Sequence, residues 1–444
     1  MQAKVGFISL GCPKNEVDCE MMLARVAQAG YQIVPEDYEA DVVIVNTCAF
    51  IQSAKEEAIE NILDLAWLKE NRQLRGIIVT GCLAQRYFEE VQESLPEVDA
   101  ALSLGAEVHI VETIEKVLKG EKVFLHTAPE TLEMEGDRVV THDHFAYLRI
   151  AEGCDNRCAY CAIPGIRGSL RSRPMENIIK EAQSLSKMGV KEICVVAQDT
   201  TVYGKDLYGR LALPELLEQL AAPSLGFHWI RLLYCYPDKV TDQLCQVMAA
   251  HDNICKYIDL PVQHISDEVL TKMNRHGGSQ AIYDAISRLR RAMPDIAIRT
   301  TVMVGFPGEK DRDFSLLSNF VKEIRFAHLG AFLYSREEGT AAYSMENRST
   351  KKTREARLSS IMQTQLGITE EYLKSFEGKK IEVLVEGYDP GIKHYFGRTQ
   401  YQAPEIDGVV YFTSPRKEIP VGELVTVLAK EAMEYDLFGK EVKE

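Results

Sequence analysis

Residues 146–161 read AYLRIAEGCDNRCAYC, and this stretch decides the fold of the central part of the chain. Its first six residues form a largely apolar run, which predicts a buried strand. The loop that follows carries Cys154, Cys158 and Cys161 in the spacing C-x3-C-x2-C. Three thiolates from one tight loop can hold three irons of a [4Fe–4S] cube and leave the fourth iron without a protein ligand. As in catalytic zinc sites, such an open position is where cofactor chemistry takes place.

The alternative for these three cysteines is a zinc knuckle or a group of buried thiols. A structural zinc site normally has a fourth ligand at metal-type spacing. His142 and His144 precede the motif, but the predicted strand separates them from the cysteine loop. The spacing therefore favours an iron–sulfur cluster with one open iron.

The same strand opens a longer alternation of strands and helices that runs to about residue 336. The candidate strands are AYLRIA (146–151), EICVVA (192–197), WIRLLY (229–234), KYIDLPV (256–262), AIRTTVMVG (297–305) and HLGAFLY (328–334). Strands that alternate with helices form parallel sheets, and six such units predict a full or partial TIM-like barrel. With the charged helical segment that follows, we predict one domain over residues 140–375.

The N-terminal part of the chain alternates in the same way and is predicted to form a separate domain over residues 1–120. Its three apolar runs are VGFISL (5–10), DVVIVN (41–46) and GIIVTG (76–81). With helical spacing between them, they predict a doubly wound parallel sheet. Polar and acidic residues 121–142 read as a linker or hairpin.

Each of these three strands runs straight into a cysteine: Cys12, Cys48 and Cys82. The carboxyl ends of parallel strands share one edge, where ligands bind in doubly wound folds. Cysteine is also a good small core residue, so one such position would mean little. Three of three favour ligation, and three ligands again suggest a [4Fe–4S] cluster with a free iron. The other five cysteines have no such geometry and receive no role: Cys19, Cys194, Cys235, Cys245 and Cys255.

From residue 378 onward the pattern changes to short strands without intervening helices. The runs are IEVLVEGY (381–388), HYFGRTQY (394–401), GVVYFT (408–413) and LVTVLAKEA (424–432). Gly and Pro separate them, which predicts a small all-β barrel over residues 377–444.

Composition excludes several classes of protein. The 444-residue chain has a formal net charge of -15, which argues against a surface that binds nucleic acid throughout. No apolar run reaches the roughly 20 residues of a membrane span, and the N-terminus lacks the pattern of a signal peptide. We therefore expect a cytoplasmic protein, in which the 11 cysteines serve metal ligation or the core rather than disulfides.

The spacing of Cys154, Cys158 and Cys161, with aromatic Tyr160 before the last cysteine, resembles the radical S-adenosylmethionine (SAM) superfamily. The resemblance implies that the open iron chelates the amino and carboxyl groups of SAM, with Tyr160 near the adenine. An electron from the cluster then cleaves SAM to methionine and a 5′-deoxyadenosyl radical. Gln198 and Gly305 lie at the ends of predicted barrel strands and are candidate SAM contacts by position.

Two cysteine triads followed by a terminal β-barrel resemble the methylthiotransferase family over essentially the whole chain. The barrel resembles a TRAM domain, an OB-like antiparallel module that binds substrate. Three internal stretches are similar to family motifs: AQDTTVYG (197–204), DLPVQHISDEVLTKMNR (259–275) and TTVMVGFPGE (300–309). Of the family's two branches, GCPKN (11–15) and AIPGIRGSLRSR (162–173) resemble the one that modifies an aspartate of ribosomal protein uS12.

This resemblance implies a reaction that uses two SAM molecules and both clusters. One SAM methylates a sulfur on the cluster of Cys12, Cys48 and Cys82. The other is cleaved at the second cluster, and the radical removes a hydrogen from the aspartate β-carbon. That carbon then captures the methylthio group to give 3-methylthioaspartate. Three basic residues after the cysteine loop are candidates either to orient a carboxylate or to form structural ion pairs: Arg167, Arg171 and Arg173.

The implied partners are uS12, free or in the small ribosomal subunit, an electron donor and a sulfur source. We expect no membrane, and tRNA is disfavoured because residues 377–444 carry nine basic and thirteen acidic side chains. A tRNA adenosine methylthiotransferase remains the nearest alternative. A non-enzymatic iron–sulfur or zinc RNA-binding module is the alternative of another class.

Overall fold

The computed structural model describes residues 3–35 and 37–443. The N-terminal elements are β1 (Lys4–Ser9), α1 (Pro13–Gln28), β2 (Gln32–Val34), β3 (Val42–Thr47), α2 (Gln52–Asn71), β4 (Gly76–Gly81), α3 (Cys82–Arg86), α4 (Phe88–Ser94), β5 (Ala100–Leu102), α5 (Ile110–Leu118) and β6 (Val123–Leu125). The central elements are β7 (Phe145–Arg149), β8 (Ala151–Glu152), α6 (Ile163–Arg167), β9 (Arg171–Ser172), α7 (Met175–Lys187), β10 (Glu192–Val196), α8 (Lys205–Tyr208), α9 (Leu213–Leu220), β11 (Trp229–Leu232), α10 (Asp242–Ala250), β12 (Ile254–Asp259), α11 (Asp267–Lys272), α12 (Gly278–Ala292), β13 (Ala297–Val304), α13 (Asp311–Ile324), β14 (His328–Leu333) and α14 (Lys351–Lys374). The last strands are β15 (Lys380–Asp389), β16 (His394–Arg398), β17 (Val410–Thr413), β18 (Leu424–Met433) and β19 (Asp436–Glu441).

The chain divides into two compact units. The first unit contains the residues up to Thr141 together with Ala151–Arg173 and Ser335–Tyr343. The second unit contains His142–Ile150, Pro174–Tyr334 and the residues from Ser344 onward. Both predicted cysteine triads therefore fall in the first unit. None of the helices in the described ranges is long and apolar enough to cross a membrane.

The first unit is built on a parallel sheet with strand order β2-β1-β3-β4-β5-β6. The chain reverses its direction of winding between β1 and β3, which are neighbours through pairs such as Val5 with Val42. One face packs on α1 and α5 through residues such as Met22, and the other packs on α2, α3 and α6 through residues such as Ile62 and Ile166. The predicted doubly wound sheet is confirmed, and its ligand-binding crevice falls at the β1/β3 reversal.

The main sheet of the second unit is parallel, with strand order β14-β13-β12-β11-β10-β7. The six strands follow one another across the sheet in chain order, and each is joined to the next through a helical crossover. In the part of the chain that the structure describes, this sheet stays open, so the predicted TIM-like domain is a partial barrel.

The C-terminal strands close into a barrel in the order β15-β16-β17-β19-β18. Its interior is filled by apolar side chains such as Val383, Phe412 and Val427. Four of the five neighbouring pairs are antiparallel, and β17 and β19 are parallel. The parallel pair is a geometric necessity, because strand directions cannot alternate all the way around a ring with an odd number of members.

A buried ionic cluster joins this barrel to the sheet of the second unit. Glu192, the first residue of β10, accepts from Arg231 at 2.6 Å and from Arg398 of the barrel at 2.8 Å. Arg398 also pairs with Glu386 at 2.6 Å, and Glu386 lies 3.1 Å from His144. Burial alone would raise the pKa of Glu192, but the guanidinium groups of Arg231 and Arg398 outweigh it and lower that pKa to about 2.

Candidate functional site

The first cysteine triad lies at the carboxyl edge of the N-terminal sheet, as the sequence predicts. Cys12 follows β1 and caps the amino end of α1, Cys48 follows β3, and Cys82 is the first residue of α3 after β4. Because β1, β3 and β4 are adjacent in the sheet, the three cysteines come to one place. Gly81 has a φ of 87°, and a Cβ there would lie 2.5 Å from the carbonyl oxygen of Thr47. The turn into Cys82 therefore requires glycine.

Asn15 ties the three cysteine-bearing loops together. Its Nδ2 donates to the carbonyl of Leu10 at 3.0 Å and to the carbonyl of Thr47 at 2.8 Å. Its Oδ1 accepts from Sγ of Cys82 at 3.6 Å. The side chain is fully buried, so these contacts replace all of its water. Asn15 was not singled out from the sequence, although it lies within the GCPKN motif.

The thiols of the first triad differ in acidity. Burial opposes ionisation of Cys12, but Lys14, Arg167 and the N–H groups at the start of α1 lower its pKa. Burial raises the pKa of Cys48, and raises that of Cys82 to about 12 although Arg167 acts in the other direction. The negative charge of each thiolate disfavours the others, so three thiolates here need cationic partners or a bound metal cluster.

Arg167 is the cation at the centre of this site. Its side chain is 1% exposed, and Nη2 donates to Asp18 at 2.9 Å, to Oδ1 of Asn15 and to Sγ of Cys82 at 3.7 Å. Nη1 donates to Glu152 at 3.0 Å. Of the two roles open from the sequence, the structure therefore favours structural ion pairing for Arg167 over orientation of a substrate carboxylate.

The second triad lies in the loop between β8 and α6. The N–H of Cys154 donates to the carbonyl of Gly168 at 3.1 Å, and the N–H of Cys161 donates to the carbonyl of Cys158 at 3.0 Å. Gly153 has a φ of 76°, and a Cβ there would lie only 2.0 Å from the carbonyl oxygen of Ser169. All three cysteines are partly exposed, as is Cys12 of the first triad, whereas Cys48 and Cys82 are buried. The loop is thus held by backbone hydrogen bonds while its cysteines remain partly accessible to solvent.

The predicted SAM contacts lie in different units. Tyr160 is half-buried in the cysteine loop of the first unit. Gln198 follows β10 and Gly305 follows β13, so both lie at carboxyl ends of strands in the second unit. Gly305 has a φ of 76°, donates its N–H to Glu309 and accepts from Nδ2 of Asn347 at 2.8 Å. The role of these three residues in SAM binding stays a prediction.

The donor chemistry fits two [4Fe–4S] clusters. Each triad offers three sulfur donors, the number that binds a cube with one open iron. The remaining five cysteines are buried, and burial raises the pKa of each. Buried thiols with raised pKa values are inert, which agrees with giving these five cysteines no role.

Comparisons with known proteins first define the class. The chain matches the models of the uncharacterized protein family UPF0004 (residues 4–103), the radical SAM superfamily (148–321) and the TRAM domain (378–442). A solved structure of the radical SAM methyltransferase TsrM from Kitasatospora setae has a TM-score of 0.57 at 14% identity and covers 77% of each chain. The radical SAM enzyme OxsB has a TM-score of 0.51 at 12% identity, covering 82% of this chain and 56% of its own. These structures share the fold, and with the matched models they place the chain among radical SAM proteins.

Two relatives then give the family. Ribosomal protein uS12 methylthiotransferase RimO of Caldanaerobacter subterraneus subsp. tengcongensis is 50% identical over 438 residues, covering 98% of this chain and 99% of the relative. RimO of Lachnoclostridium phytofermentans is 46% identical over 440 residues, with the same coverage of 98% and 99%. The chain belongs to the family of ribosomal protein uS12 methylthiotransferases.

Proposed function

We propose that this chain attaches a methylthio group to the β-carbon of an aspartate in ribosomal protein uS12 and so forms 3-methylthioaspartate. The observation that carries the proposal is the presence of two cysteine triads in one compact unit. Membership of the uS12 methylthiotransferase family supports the substrate. An electron donor and a sulfur source complete the partners that this reaction needs.

We assign Cys12, Cys48 and Cys82 to an auxiliary [4Fe–4S] cluster, with its domain over residues 1–120. The second triad is assigned to the cluster that binds SAM, in a domain over residues 140–375: Cys154, Cys158 and Cys161. Two of the three cysteines in the first triad are buried, whereas all three in the second are partly exposed, and this difference supports the division because a cofactor that is consumed and replaced needs access from solvent. The buried sulfurs of Cys48 and Cys82 suit a cluster that is not exchanged.

The aspartate β-carbon is an unactivated methylene, from which acids, bases and nucleophiles of a protein do not easily remove a hydrogen. When bound, SAM and the two clusters supply a carbon radical and a methylated sulfur for this purpose. The chain's own residues hold the ligands: Asn15 fixes the auxiliary loops and Arg167 faces Cys82. Tyr160, Gln198 and Gly305 are assigned to SAM binding by the family resemblance of the motifs in which they lie.

The terminal barrel, over residues 377–444, is assigned to recognition of uS12. Its nine basic and thirteen acidic side chains give a net charge of 9 - 13 = -4. An acidic module complements a basic ribosomal protein, whereas a module that holds tRNA is expected to be basic. The charge therefore favours the ribosomal protein over tRNA as substrate.

The test is to measure iron content, SAM cleavage and methylthiolation separately for each triad in the anaerobically reconstituted full-length chain. The wild-type protein is expected to hold about eight irons, cleave SAM under reducing conditions and methylthiolate uS12. With Cys154, Cys158 and Cys161 changed to Ala, about four irons remain and SAM cleavage stops. Changing Cys12, Cys48 and Cys82 to Ala also leaves about four irons. In that variant SAM cleavage continues while methylthiolation stops.

A matched control replaces three cysteines that the structure places in the core of the second unit. Changing Cys194, Cys245 and Cys255 to Ala leaves the iron content and both reactions in place. Full iron in either triad variant contradicts the ligand assignment. Iron binding without SAM cleavage in the wild type would instead support a non-enzymatic module, and modification of tRNA in place of uS12 would support the tRNA enzyme.

A further inference from the structure

Arg167 is contributed by the segment that follows one cysteine loop, but it contacts a ligand of the other. It is the last residue of α6, six positions after Cys161. Its guanidinium reaches Sγ of Cys82 at 3.7 Å and Asp18 of α1 at 2.9 Å. The same guanidinium donates a hydrogen bond of 3.0 Å to the carboxylate of Glu152, which lies two residues before Cys154. One buried side chain thus joins the surroundings of both triads within the first unit.

The neighbouring side chain Ile166 reinforces this connection. It is 1% exposed and packs in the apolar cluster that also contains Cys82, Leu83 and Ala84 of α3. Helix α6 is therefore docked on the N-terminal sheet by an apolar contact and by an ion pair. The loop of the second triad is anchored to the same segment, since Cys154 donates to the carbonyl of Gly168.

A guanidinium at this position has two physical effects on a cluster bound to Cys82. Hydrogen bonds to cluster sulfurs and local charge are among the factors that set the reduction potential of an iron–sulfur cluster. A fixed positive charge in a buried site favours the reduced, more negative form, because little solvent screens it. Asp18 and Glu152 act in the opposite direction and offset part of that charge.

We propose that Arg167 is a positioning residue that raises the reduction potential of the auxiliary cluster and fixes the loop of the second triad beside it. The inference rests on the proposed function, in which Cys12, Cys48 and Cys82 are cluster ligands. Arg167 acts through Cys82 and through the docking of α6, and it makes no contact with substrate in this role.

The test is a redox titration of the auxiliary cluster, followed by electron paramagnetic resonance, in full-length protein that lacks the second cluster through Cys154, Cys158 and Cys161 changes to Ala. Arg167→Gln removes the charge and is expected to shift the midpoint potential to a more negative value. Asp18→Asn keeps Arg167 but removes a compensating carboxylate, so it shifts the potential in the positive direction. Arg167→Lys keeps the charge without the planar fork and gives an intermediate shift.

Arg171→Gln is the matched control, because the Arg171 side chain lies in the same segment and donates to the backbone carbonyls of Pro129 and Glu130. It leaves the potential unchanged. In chains that retain both clusters, Arg167→Gln also lowers the rate of methylthio transfer more than the rate of SAM cleavage. Opposite shifts for Arg167→Gln and Asp18→Asn support the proposal.

Unchanged potentials, or shifts of the same sign in both variants, overturn it. If Arg167→Gln does not fold, Arg167→Lys decides, and an unchanged potential in that variant overturns the proposal. Failure of the ligand assignment on which the inference rests gives a different result, since protein with only the first triad would then bind no cluster at all.

Discussion

At the scale of single residues, the auxiliary site depends on side chains that are not themselves ligands. Asn15 is the clearest case, because one buried amide holds the loops before Cys12 and Cys48 and contacts Cys82. Asn15→Ala leaves the carbonyl of Thr47 without this donor in the buried interior. We expect a loss of about 1–3 kcal/mol in the free energy of unfolding and weaker retention of iron.

Urea denaturation and iron analysis of the full-length protein check this prediction. Asn71→Ala is the control, because the exposed Asn71 amide donates only to the carbonyl of Trp67 in the preceding helical turn. It is expected to change the free energy of unfolding by less than about 0.5 kcal/mol. Equal effects of the two changes would show that Asn15 has no special place in the site.

The cysteines could be located from sequence, while the residues around them could not. Cys12, Cys48 and Cys82 each follow an apolar run, and parallel strands bring their carboxyl ends to one edge. No local pattern indicates that Arg167 contacts Cys82, because 85 positions of chain separate the two. No local pattern indicates the roles of Asn15 and Asp18 either, since the role of a buried polar residue is recognised only from the groups that surround it.

At the scale of elements, the ionic cluster around Arg398 fixes the barrel to the sheet of the second unit. The Arg398 side chain is 1% exposed and pairs with Glu192 and Glu386. Arg398→Met would leave both carboxylates without this partner in a buried setting. A loss of about 3 kcal/mol in the free energy of unfolding is expected, the lower end for a broken buried pair, because Glu192 keeps Arg231 and Glu386 keeps His144 as neighbours.

Arg416→Met on the same barrel is the control for this change. Arg416 pairs with Glu423 and Glu441, but its side chain is 36% exposed. Solvent screens such pairs, so the expected loss is only about 0–1 kcal/mol. Chemical denaturation measures both variants, and a comparable loss for the two would contradict the structural role given to Arg398.

The same cluster predicts how stability depends on pH. The pKa of Glu192 is lowered from 4.5 to about 2 in the folded chain, so the carboxylate stabilises the fold fully above pH 4.5. This contribution is lost as the pH falls from 4.5 toward 2, and it amounts to roughly 3 kcal/mol at neutral pH. Denaturation across an acid series checks it. Glu192→Gln should be less stable at neutral pH and should lose less on acidification; an unchanged slope in that variant contradicts the assignment.

Sequence patterns found the long elements and missed the short ones. All six predicted strands of the partial barrel are present, with ends that differ by a few residues. The strands β2, β5 and β6 have only three residues each, too few for a period to show. Strand β19 reads DLFGKE, and its charged residues and glycine give no strand pattern in the sequence. Its pairing nevertheless closes the barrel.

At the scale of the whole molecule, each compact unit is built from several separate stretches of the sequence. The loop of Cys154 begins only a few residues after strand β7 of the second unit, but it packs in the first unit. The segment 335–343 joins the same unit, where Glu337 pairs with Lys55 and Arg86 at 3.1 Å each. Contacts between such distant segments have no signature in local patterns, so the predicted domain limits at residues 120, 140 and 375 stay predictions.

The barrel's acidic surface predicts salt-dependent recognition of uS12. Glu418, Glu431 and Glu434 are exposed on the barrel, and their reversal to Lys is expected to weaken binding roughly tenfold at low salt. The difference should shrink as added salt screens the charges. Binding of purified uS12 to the full-length protein across a salt series measures this effect.

A control for this reversal changes three exposed acidic residues on helices of the second unit: Glu176, Glu218 and Glu323. Their reversal to Lys alters the net charge equally but leaves the barrel intact, so it should weaken binding much less. Equal effects of the two triple variants would show that overall charge, and not the barrel, attracts uS12. Tighter binding of tRNA by the barrel variant alone would not count in favour of the barrel as the site that recognises uS12.

The intact mass of uS12 from cells shows directly whether this chain modifies that protein. We expect uS12 from cells with this gene to be heavier by about 46 Da, one methylthio group in place of hydrogen, than uS12 from cells without it. Wild-type complementation should restore the added mass, and the variant with Cys12, Cys48 and Cys82 changed to Ala should not. The same mass of uS12 with and without the gene, accompanied by a gene-dependent methylthio group on tRNA, would contradict the account.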